Sequence, residues 1–416
     1  MSLSAALTLE EGMAHLASIV GPEHAQLRGD TVVAAPGDTR QVAQILRFAQ
    51  SNGLTLMPTG GSTKLGWGNP VLPEIELSSH RMHALRDHAW QDMTCTVEAG
   101  CTWSAMQSKL RLHGQMVALD PLWPDRATVG GVIAANDSGA LRMKFGGLRD
   151  LIIGMTIVLA DGTIAKSGGK VVKNVAGYDL HKLITGSFGT LGVIAEVNFR
   201  LHPVEEHVRT WTVMAPEAAL PDFFAEPLRA LMDSQMTPSC VQLRVANHEC
   251  ALDIRIAGIP ECLEEYAGRI QSLCGKVTLT KAGEDVWQAR QQLFDKNRAL
   301  VIKVSLLPGE ICSVSSELQQ WAATEGHEID VLAQATGLMT IALRSSPDAA
   351  IALIDRLRKK LARSGDSAIV LQMPDSLRGK VDVWGPDPDA LPLMREIKRR
   401  FDPDRILNPG HFVGGI

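Results

Sequence analysis

Leu54-Thr55-Leu56-Met57-Pro58-Thr59-Gly60-Gly61-Ser62-Thr63-Lys64 is the stretch on which the reading of this chain turns. The apolar run Leu54–Met57 reads as a strand. The adjacent glycines after it let the backbone bend until successive N–H groups face one point. Such a nest binds the oxygens of a phosphate or pyrophosphate. No Gly-Lys-Ser/Thr follows, so the loop is not a Walker A loop, and it is not G-x-G-x-x-G. A structural turn has the same composition, so the loop is weak evidence alone. Upstream, Thr31-Val32-Val33-Ala34 reads as a short strand and Pro36-Gly37-Asp38-Thr39 as a turn and helix N-cap. The spacing of Val42, Ile45, Leu46 and Ala49 predicts a helix over 41–52, stopped by Gly53. The unit is strand–helix–strand ending in glycines.

Three further elements share this texture. Thr128-Val129-Gly130-Gly131 is followed by Ala135-Asn136-Asp137-Ser138-Gly139. Gly168-Gly169-Lys170-Val171-Val172-Lys173-Asn174-Val175-Ala176-Gly177-Tyr178-Asp179-Leu180 is the third. Gly186-Ser187-Phe188-Gly189-Thr190-Leu191-Gly192-Val193-Ile194 is the fourth and runs straight into a strand. Small residues admit a large planar ligand to the backbone, and they equally serve close helix–strand packing. A strand edge at the fourth element can offer N–H and C=O groups to a flat ring.

The rest of the chain sorts into blocks. Residues 1–28 read as a helix and connector. Over 29–203, short strands at 74–77, 94–98, 151–159, 163–165 and 191–200 alternate with helices at 103–113 and 130–135, an α+β pattern. From 204 to 386, strands at 241–245, 251–256, 300–304 and 339–343 and helices near 261–274, 283–296, 310–323 and 347–363 fit an antiparallel sheet with helices on one face. The tail, 387–416, holds a helix up to Phe401, the turn Asp402-Pro403-Asp404 and the close Asn408-Pro409-Gly410.

Composition excludes several functions. The 416 residues exceed one ordinary core and imply two or three domains. A net charge of −5 with no basic run gives nucleic-acid binding no electrostatic support. No apolar window suits a membrane span. Glu10 and Glu11 replace the basic start of a signal peptide. Seven cysteines without C-x-x-C spacing argue against disulfides, zinc and iron–sulfur ligation. A cytoplasmic chain with reduced thiols is the expectation.

Taken together, the four glycine elements in this order resemble the vanillyl-alcohol-oxidase-type flavoproteins, which carry the PCMH-type FAD-binding fold. The strings KNVAGYDL and GTLGVI are especially similar to the glycolate oxidase and D-lactate dehydrogenase branch. Asp402-Pro403-Asp404-Arg405-Ile406-Leu407-Asn408-Pro409-Gly410 resembles that family's C-terminal return to the flavin domain. The subfamily that fits best is the FAD-binding small subunit of glycolate oxidase. The resemblance implies a two-lobed FAD-binding domain with an α/β cap. It implies that Pro58, Thr59, Gly60, Gly61, Ser62, Thr63 and Lys64 hold the FAD pyrophosphate. Asp120 and the segment to Thr128 would flank the flavin and ribityl chain, with close approach at Gly130 and Gly131. Ala135, Asn136, Asp137, Ser138 and Gly139 would contact the ribityl or diphosphate region. Gly189, Thr190, Gly192, Val193 and Ile194 would bind through main-chain atoms, and Asn408 would sit near the ring. No histidine follows Gly60-Gly61 in the pattern of covalent attachment, so the FAD is expected to be non-covalent.

Oxidation of a 2-hydroxy acid needs a hydride acceptor, a cation for the carboxylate, and a base or metal for the hydroxyl proton. Arg290 and Lys303 resemble the carboxylate-binding Arg and Lys of D-2-hydroxy acid dehydrogenases. A solvated helix arginine and an outward-facing strand lysine are their alternatives. The histidine-rich string H-x-G-D-G-N-x-H of catalytic relatives has no match, and the nearest stretch, His327 to Gly337, lacks paired histidines. The resemblance then implies a subunit working beside a second catalytic flavoprotein and an iron–sulfur subunit, possible also at the inner membrane through those partners. A stand-alone FAD-dependent oxidoreductase of D-lactate dehydrogenase type, and a non-catalytic flavin-binding scaffold, are the alternatives. No catalytic base is assigned. His80, His83 and His88 lie in a polar connector without a carboxylate framework, so no metal is expected. His411 can approach the flavin or lie on the surface. Cys95 and Cys101 read as buried packing.

Overall fold

The structure is a computed structural model and describes residues 8–170, 177–246, 249–275, 277–294, 300–361 and 365–416. The chain divides into two compact units. The first takes the N-terminal residues to Asp137, Gly147–Val204 and Pro386–Ile416, and the second takes Ser138–Gly146 and Glu205–Gly385. The segment Ser138–Gly146, read from sequence as part of the flavin domain, therefore belongs to the second unit.

In the first unit, β1 (Ala25–Arg28), β2 (Thr31–Ala34), β3 (Leu56–Thr59) and β4 (Ile75–Ser78) form a sheet in the order β1-β2-β4-β3. The Asp38 carboxylate accepts the N–H groups of Arg40 and Gln41 and so starts the helix Thr39–Asn52. Gly53 ends it in the left-handed conformation, φ +66°. The helix buries Val42, Ile45, Leu46 and Ala49 in one core with Val32, Ala34, Leu56 and Ile75. The sequence predicts a strand from Leu54, but the Leu54 N–H caps the helix by donating to Ala49 O, and β3 starts at Leu56. β3 carries Pro58 on the edge of its sheet, where a missing N–H is tolerated. β1 has one buried side chain of four, which leaves no periodic signal and explains its reading as connector.

A second, wholly antiparallel sheet follows. Its strands are β5 (Leu85–Ala89), β6 (Thr94–Glu98), β8 (Ile152–Val158), β9 (Ile164–Gly168) and β10 (Val193–Arg200), in the order β5-β6-β10-β8-β9. β7 (Gln115–Met116) and β11 (His202–Pro203) pair with each other as a separate two-stranded sheet. The sheet buries Val97, Ile157 and Phe199 with Trp103, Met106 and Leu110 of the helix Trp103–Arg111. β5 occupies part of the stretch read as a polar connector.

The second unit holds one eight-stranded antiparallel sheet in the order β15-β12-β14-β13-β17-β18-β16-β19. The strands are β12 (Val208–Met214), β13 (Cys240–Ala246), β14 (Glu249–Ala257), β15 (Thr278–Ala282), β16 (Leu300–Ser305), β17 (Glu328–Gln334), β18 (Leu338–Arg344) and β19 (Ser367–Gln372). Period-two alternation sorts the faces. Trp211, Leu243, Ile254, Ile302, Val331 and Ile341 pack with the helices Ala225–Met232, Pro260–Cys274, Ile311–Glu325 and Pro347–Lys360. The alternate positions Thr212, Gln242, Asp253, Thr340 and Lys303 lie on the other face. The helix expected over 283–296 is a 3-10 turn, Glu284–Gln288, and a short helix, Ala289–Gln292, with 295–299 outside the described residues. β17 runs through the stretch compared with the histidine-rich string.

Candidate functional site

The first unit contains a cleft of about 880 Å³, its open mouth included. Its walls bring together residues far apart in sequence. Pro58, Thr59, Gly60, Gly61, Ser62, Thr63 and Lys64 form one side. Thr128, Gly130, Gly131 and Ala135 come from the helix Val129–Ala134 and its flanks. Gly189, Gly192, Val193 and Ile194 lead into β10, and Asn408 comes from the tail. Of the two positions open to His411, the approach to this cleft is the one found, and the sequence reading missed Ser79, Ala99, Ser187 and Phe188, which also line it. Ser187 and Phe188 sit inside the quoted glycine string. Ser79 and Ala99 carry no sequence signal beyond small size.

Other predicted residues stand elsewhere. Asp120, Asn136, Asp137 and Thr190 are in the first unit but are not among the residues lining this cleft. Thr190 is buried, with its hydroxyl donating to Ser187 O at 2.7 Å. Ser138 and Gly139 belong to the second unit. Residues 171–176 of the third glycine element lie outside the described residues. Gly168 ends β9 opposite Gly154 of β8, and the Gly169 N–H donates to Ile153 O.

The glycines also answer to packing. A Cβ on Gly61 would lie 1.7 Å from Arg126 O, and one on Gly60 would lie 2.1 Å from Thr128 Oγ1. Thr128 in turn caps the helix Val129–Ala134 through the Gly131 N–H. The Gly130 N–H donates to Ala99 O at 2.8 Å, so this helix rests its backbone on the segment that follows β6. Close packing and an exposed glycine-rich wall are thus two aspects of one arrangement. Ser62 takes a left-handed φ of +54° in this loop.

Lys64 gives the nest a buried cation. Its Nζ lies 3.3 Å from Asp137 Oδ2 and within 5.6 Å and 5.4 Å of the Trp67 and Trp123 ring centroids. Asp137 also accepts the Leu122 N–H at 2.8 Å. Two buried polar atoms of the cleft wall, Ser187 Oγ and Asn408 Oδ1, have no hydrogen-bond partner among the described residues. The Asn408 amide nitrogen donates to Phe188 O at 2.7 Å, which assigns the oxygen as the group still to be satisfied. Buried polar groups without partners are rare in native proteins, and a ligand that offers hydrogen bonds resolves them. FAD, with a pyrophosphate for the nest and N–H and O–H groups along its length, meets these demands.

His411 is buried at the same cleft. Its Nδ1 faces Asn69 O, so Nδ1 carries the hydrogen and Nε2 is the acceptor nitrogen. Burial pushes its pKa below the ordinary value, against an opposing effect of the Asn69 bond, so the ring is neutral near pH 7. It sits edge-on to Phe188, with centroids 5.7 Å apart.

In the second unit, Arg290 donates to Ser138 O, and Lys303 on β16 stands opposite Thr340 and Ile369. The same sheet face holds a group the sequence reading did not single out. The fully buried Asp253 carboxylate accepts from Arg244 Nε at 2.5 Å and Nη2 at 2.9 Å, Thr212 Oγ1 at 2.7 Å and Gln242 Nε2 at 2.9 Å. Among the described residues no cluster of His, Cys, Asp or Glu is arranged to hold a metal ion. His80 pairs with Ser78 Oγ, His83 with His80 O, and His88 with Gln115 Oε1. No described helix is long and apolar enough to cross a membrane.

Comparison with known proteins agrees with this geometry. Residues 31–168 match the family described as FAD binding domain, and residues 385–412 match FAD linked oxidases, C-terminal domain. The chain is 32% identical to a D-2-hydroxyglutarate dehydrogenase of Xanthomonas citri pv. viticola, over 91% of this chain and 88% of that one. It is 27% identical to a D-lactate dehydrogenase of Archaeoglobus fulgidus, over 95% and 93%. It is 25% identical to glycolate oxidase subunit GlcD of Bacillus subtilis, over 91% and 88%. The fold is that of 4-ethylphenol oxidase from Gulosibacter chungangensis, with a TM-score of 0.74, 15% identity and coverage of 99% and 98% of the two chains. Alkyldihydroxyacetonephosphate synthase aligns with a TM-score of 0.71 at 15% identity, over 98% of this chain and 86% of that one. The chain belongs to the PCMH-type FAD-linked oxidases and is an FAD-dependent oxidoreductase.

Proposed function

We propose that this chain is the FAD-binding subunit of a glycolate oxidase-type complex that oxidises glycolate or a similar 2-hydroxy acid and passes electrons to a partner. The observation that carries the reading is the cleft of the first unit, where three of the four glycine-rich elements and the tail Asn408 meet around two buried polar atoms that have no partner among the described residues. A flavin bound there would supply the hydride acceptor for oxidation of the substrate. The chain's own residues supply the surroundings. The Gly60-Gly61 nest and Lys64 bind the pyrophosphate, and the apolar wall of Leu77, Ala99, Val193 and Ile194 excludes water. Attachment is non-covalent. Lys303 and Arg290 of the second unit hold the substrate carboxylate, and the full-length similarity to a glycolate oxidase subunit supports a 2-hydroxy acid substrate. The partners are a second, catalytic flavoprotein and an iron–sulfur subunit, in the cytoplasm or at the inner membrane through those partners. Absence of the H-x-G-D-G-N-x-H string supports dependence on a partner.

A second reading, a stand-alone dehydrogenase, is favoured by the near full-length similarity to the Archaeoglobus D-lactate dehydrogenase. The test is turnover of glycolate, D-lactate and D-2-hydroxyglutarate with a dye acceptor, by the isolated chain and by the natively co-purified assembly. The subunit reading expects turnover in the assembly and little from the chain alone. Equal turnover by the isolated chain would establish the second reading.

A further inference from the structure

Lys398 is buried, 4% exposed, on the helix Leu391–Phe401 of the first unit, and no motif of the sequence reading includes it. Its ammonium has three acceptors: Asp402 Oδ2 at 2.6 Å, Thr190 O at 2.8 Å and Leu407 O at 2.8 Å. Asp402 is fully buried and accepts the N–H groups of Ile406 at 3.0 Å and Leu407 at 2.8 Å. Three donors of an ammonium are therefore matched by three oxygens from two separate chain segments.

Each segment leads directly to one unpartnered atom of the cleft. Thr190 donates through both its N–H and its hydroxyl to Ser187 O, and Ser187 Oγ is the first unpartnered atom. Leu407 precedes Asn408, whose Oδ1 is the second. The two segments also meet through the Asn408 amide, which donates to Phe188 O. On the tail side, Leu407 bridges β3 in parallel register, and Leu56 exchanges hydrogen bonds with Ile406 O and the Asn408 N–H. The same tail that Lys398 ties down thus also braces the strand that feeds the Gly60-Gly61 nest. Burial lowers the lysine pKa, and the adjacent Asp402 carboxylate opposes that. A charge in this setting persists where its partners are complete.

We propose that Lys398, paired with Asp402, is a positioning residue for the cofactor: it fixes the Ser187 hydroxyl and the Asn408 amide oxygen where they hydrogen-bond to FAD. Asn408 Oδ1 is an acceptor, so it takes an N–H or O–H of the cofactor. Ser187 Oγ can donate or accept. The proposal rests on the assignment of FAD to this cleft.

The experiment titrates FAD into the full-length apoprotein, recording the dissociation constant and the visible difference spectrum of the bound flavin. Wild type, Lys398→Met, Lys398→Met/Asp402→Asn and Lys398→Arg are compared, with urea midpoints of the apoproteins. The double variant removes the unpaired buried carboxylate left by the single one and should regain stability. Affinity for FAD should remain at least about 10-fold weaker in both methionine variants, with an altered difference spectrum. A role in stability alone predicts affinity and spectrum that return with the urea midpoint, and that result overturns the proposal. Should the methionine variants not fold, Lys398→Arg decides: a planar guanidinium cannot reproduce the three-acceptor geometry, so an unchanged spectrum and affinity refute positioning. Failure of the wild type to bind FAD would instead remove the cleft assignment beneath it.

Discussion

Gly61→Ala puts one methyl group where the nest has no room. The new Cβ would lie 1.7 Å from Arg126 O, against a floor of 3.0 Å for real contacts, so the two must separate by about 1.3 Å. The Arg126 side is pinned, because the Arg126 and Ala127 N–H groups both donate to Trp123 O at 2.9 and 2.7 Å. The nest is therefore the part that moves. A hydrogen bond of about 2.9 Å stretched by that amount exceeds any useful length. Losing one or two bonds to a charged pyrophosphate, at about 1.5–3 kcal/mol each, weakens FAD binding on the order of 100-fold. Gly66→Ala, later in the same loop, has no described atom within 4 Å of its new Cβ and is the control. Fluorescence titration of the apoproteins with FAD checks both. If Gly61→Ala binds FAD within two-fold of wild type while Gly66→Ala behaves likewise, the nest does not hold the cofactor.

Burial pushes the Cys95 and Cys312 thiols up to about 12 and the Cys250 and Cys274 thiols to about 11, leaving Cys262 the cysteine with partial exposure. Alkylation of the native chain near pH 8 should label one thiol quickly, and two or more fast equivalents would contradict this packing. His181 and His411 are held neutral by burial below the ordinary histidine pKa of 6.5. In the unfolded chain they take up protons below that value, so stability is full above about pH 6.5 and falls as the pH drops. His411→Gln should make the urea midpoint less sensitive to pH between about 7.5 and 5, and identical slopes would refute the claim. Lys303→Ala should raise the KM for a 2-hydroxy acid in the native assembly on the order of 10-fold or more, consistent with loss of a charged contact, and an unchanged KM would remove its proposed role.

Much of the cleft was legible because glycines must be written into a sequence wherever backbones approach closely. Pro58–Lys64, Thr128–Gly131 and Gly189–Ile194 announce themselves in that way. Helices with strong caps, such as Thr39–Asn52 behind Asp38, were legible for the same local reason. What escaped depends on tertiary contact. The strand Glu328–Gln334 has six of its seven residues buried, which erases alternation between apolar and polar positions. The string does not show that the Thr190 hydroxyl bonds to Ser187, or that the Asp137 carboxylate meets Leu122 and Lys64. Lys398 lies among Arg395, Arg399 and Arg400 on an outwardly basic helix, and only the fold distinguishes the buried cation from its exposed neighbours.

The account depends most on FAD lying in the first unit's cleft without a covalent bond. A structure of the native holoprotein, with acid precipitation of the same sample to follow the colour, tests this most directly. The account predicts flavin released into the supernatant, and a dinucleotide touching Gly60, Gly130, Gly192 and the Asn408 amide oxygen. A colourless protein that takes up no added FAD, colour retained in the precipitate, or a flavin seated away from those residues would contradict it.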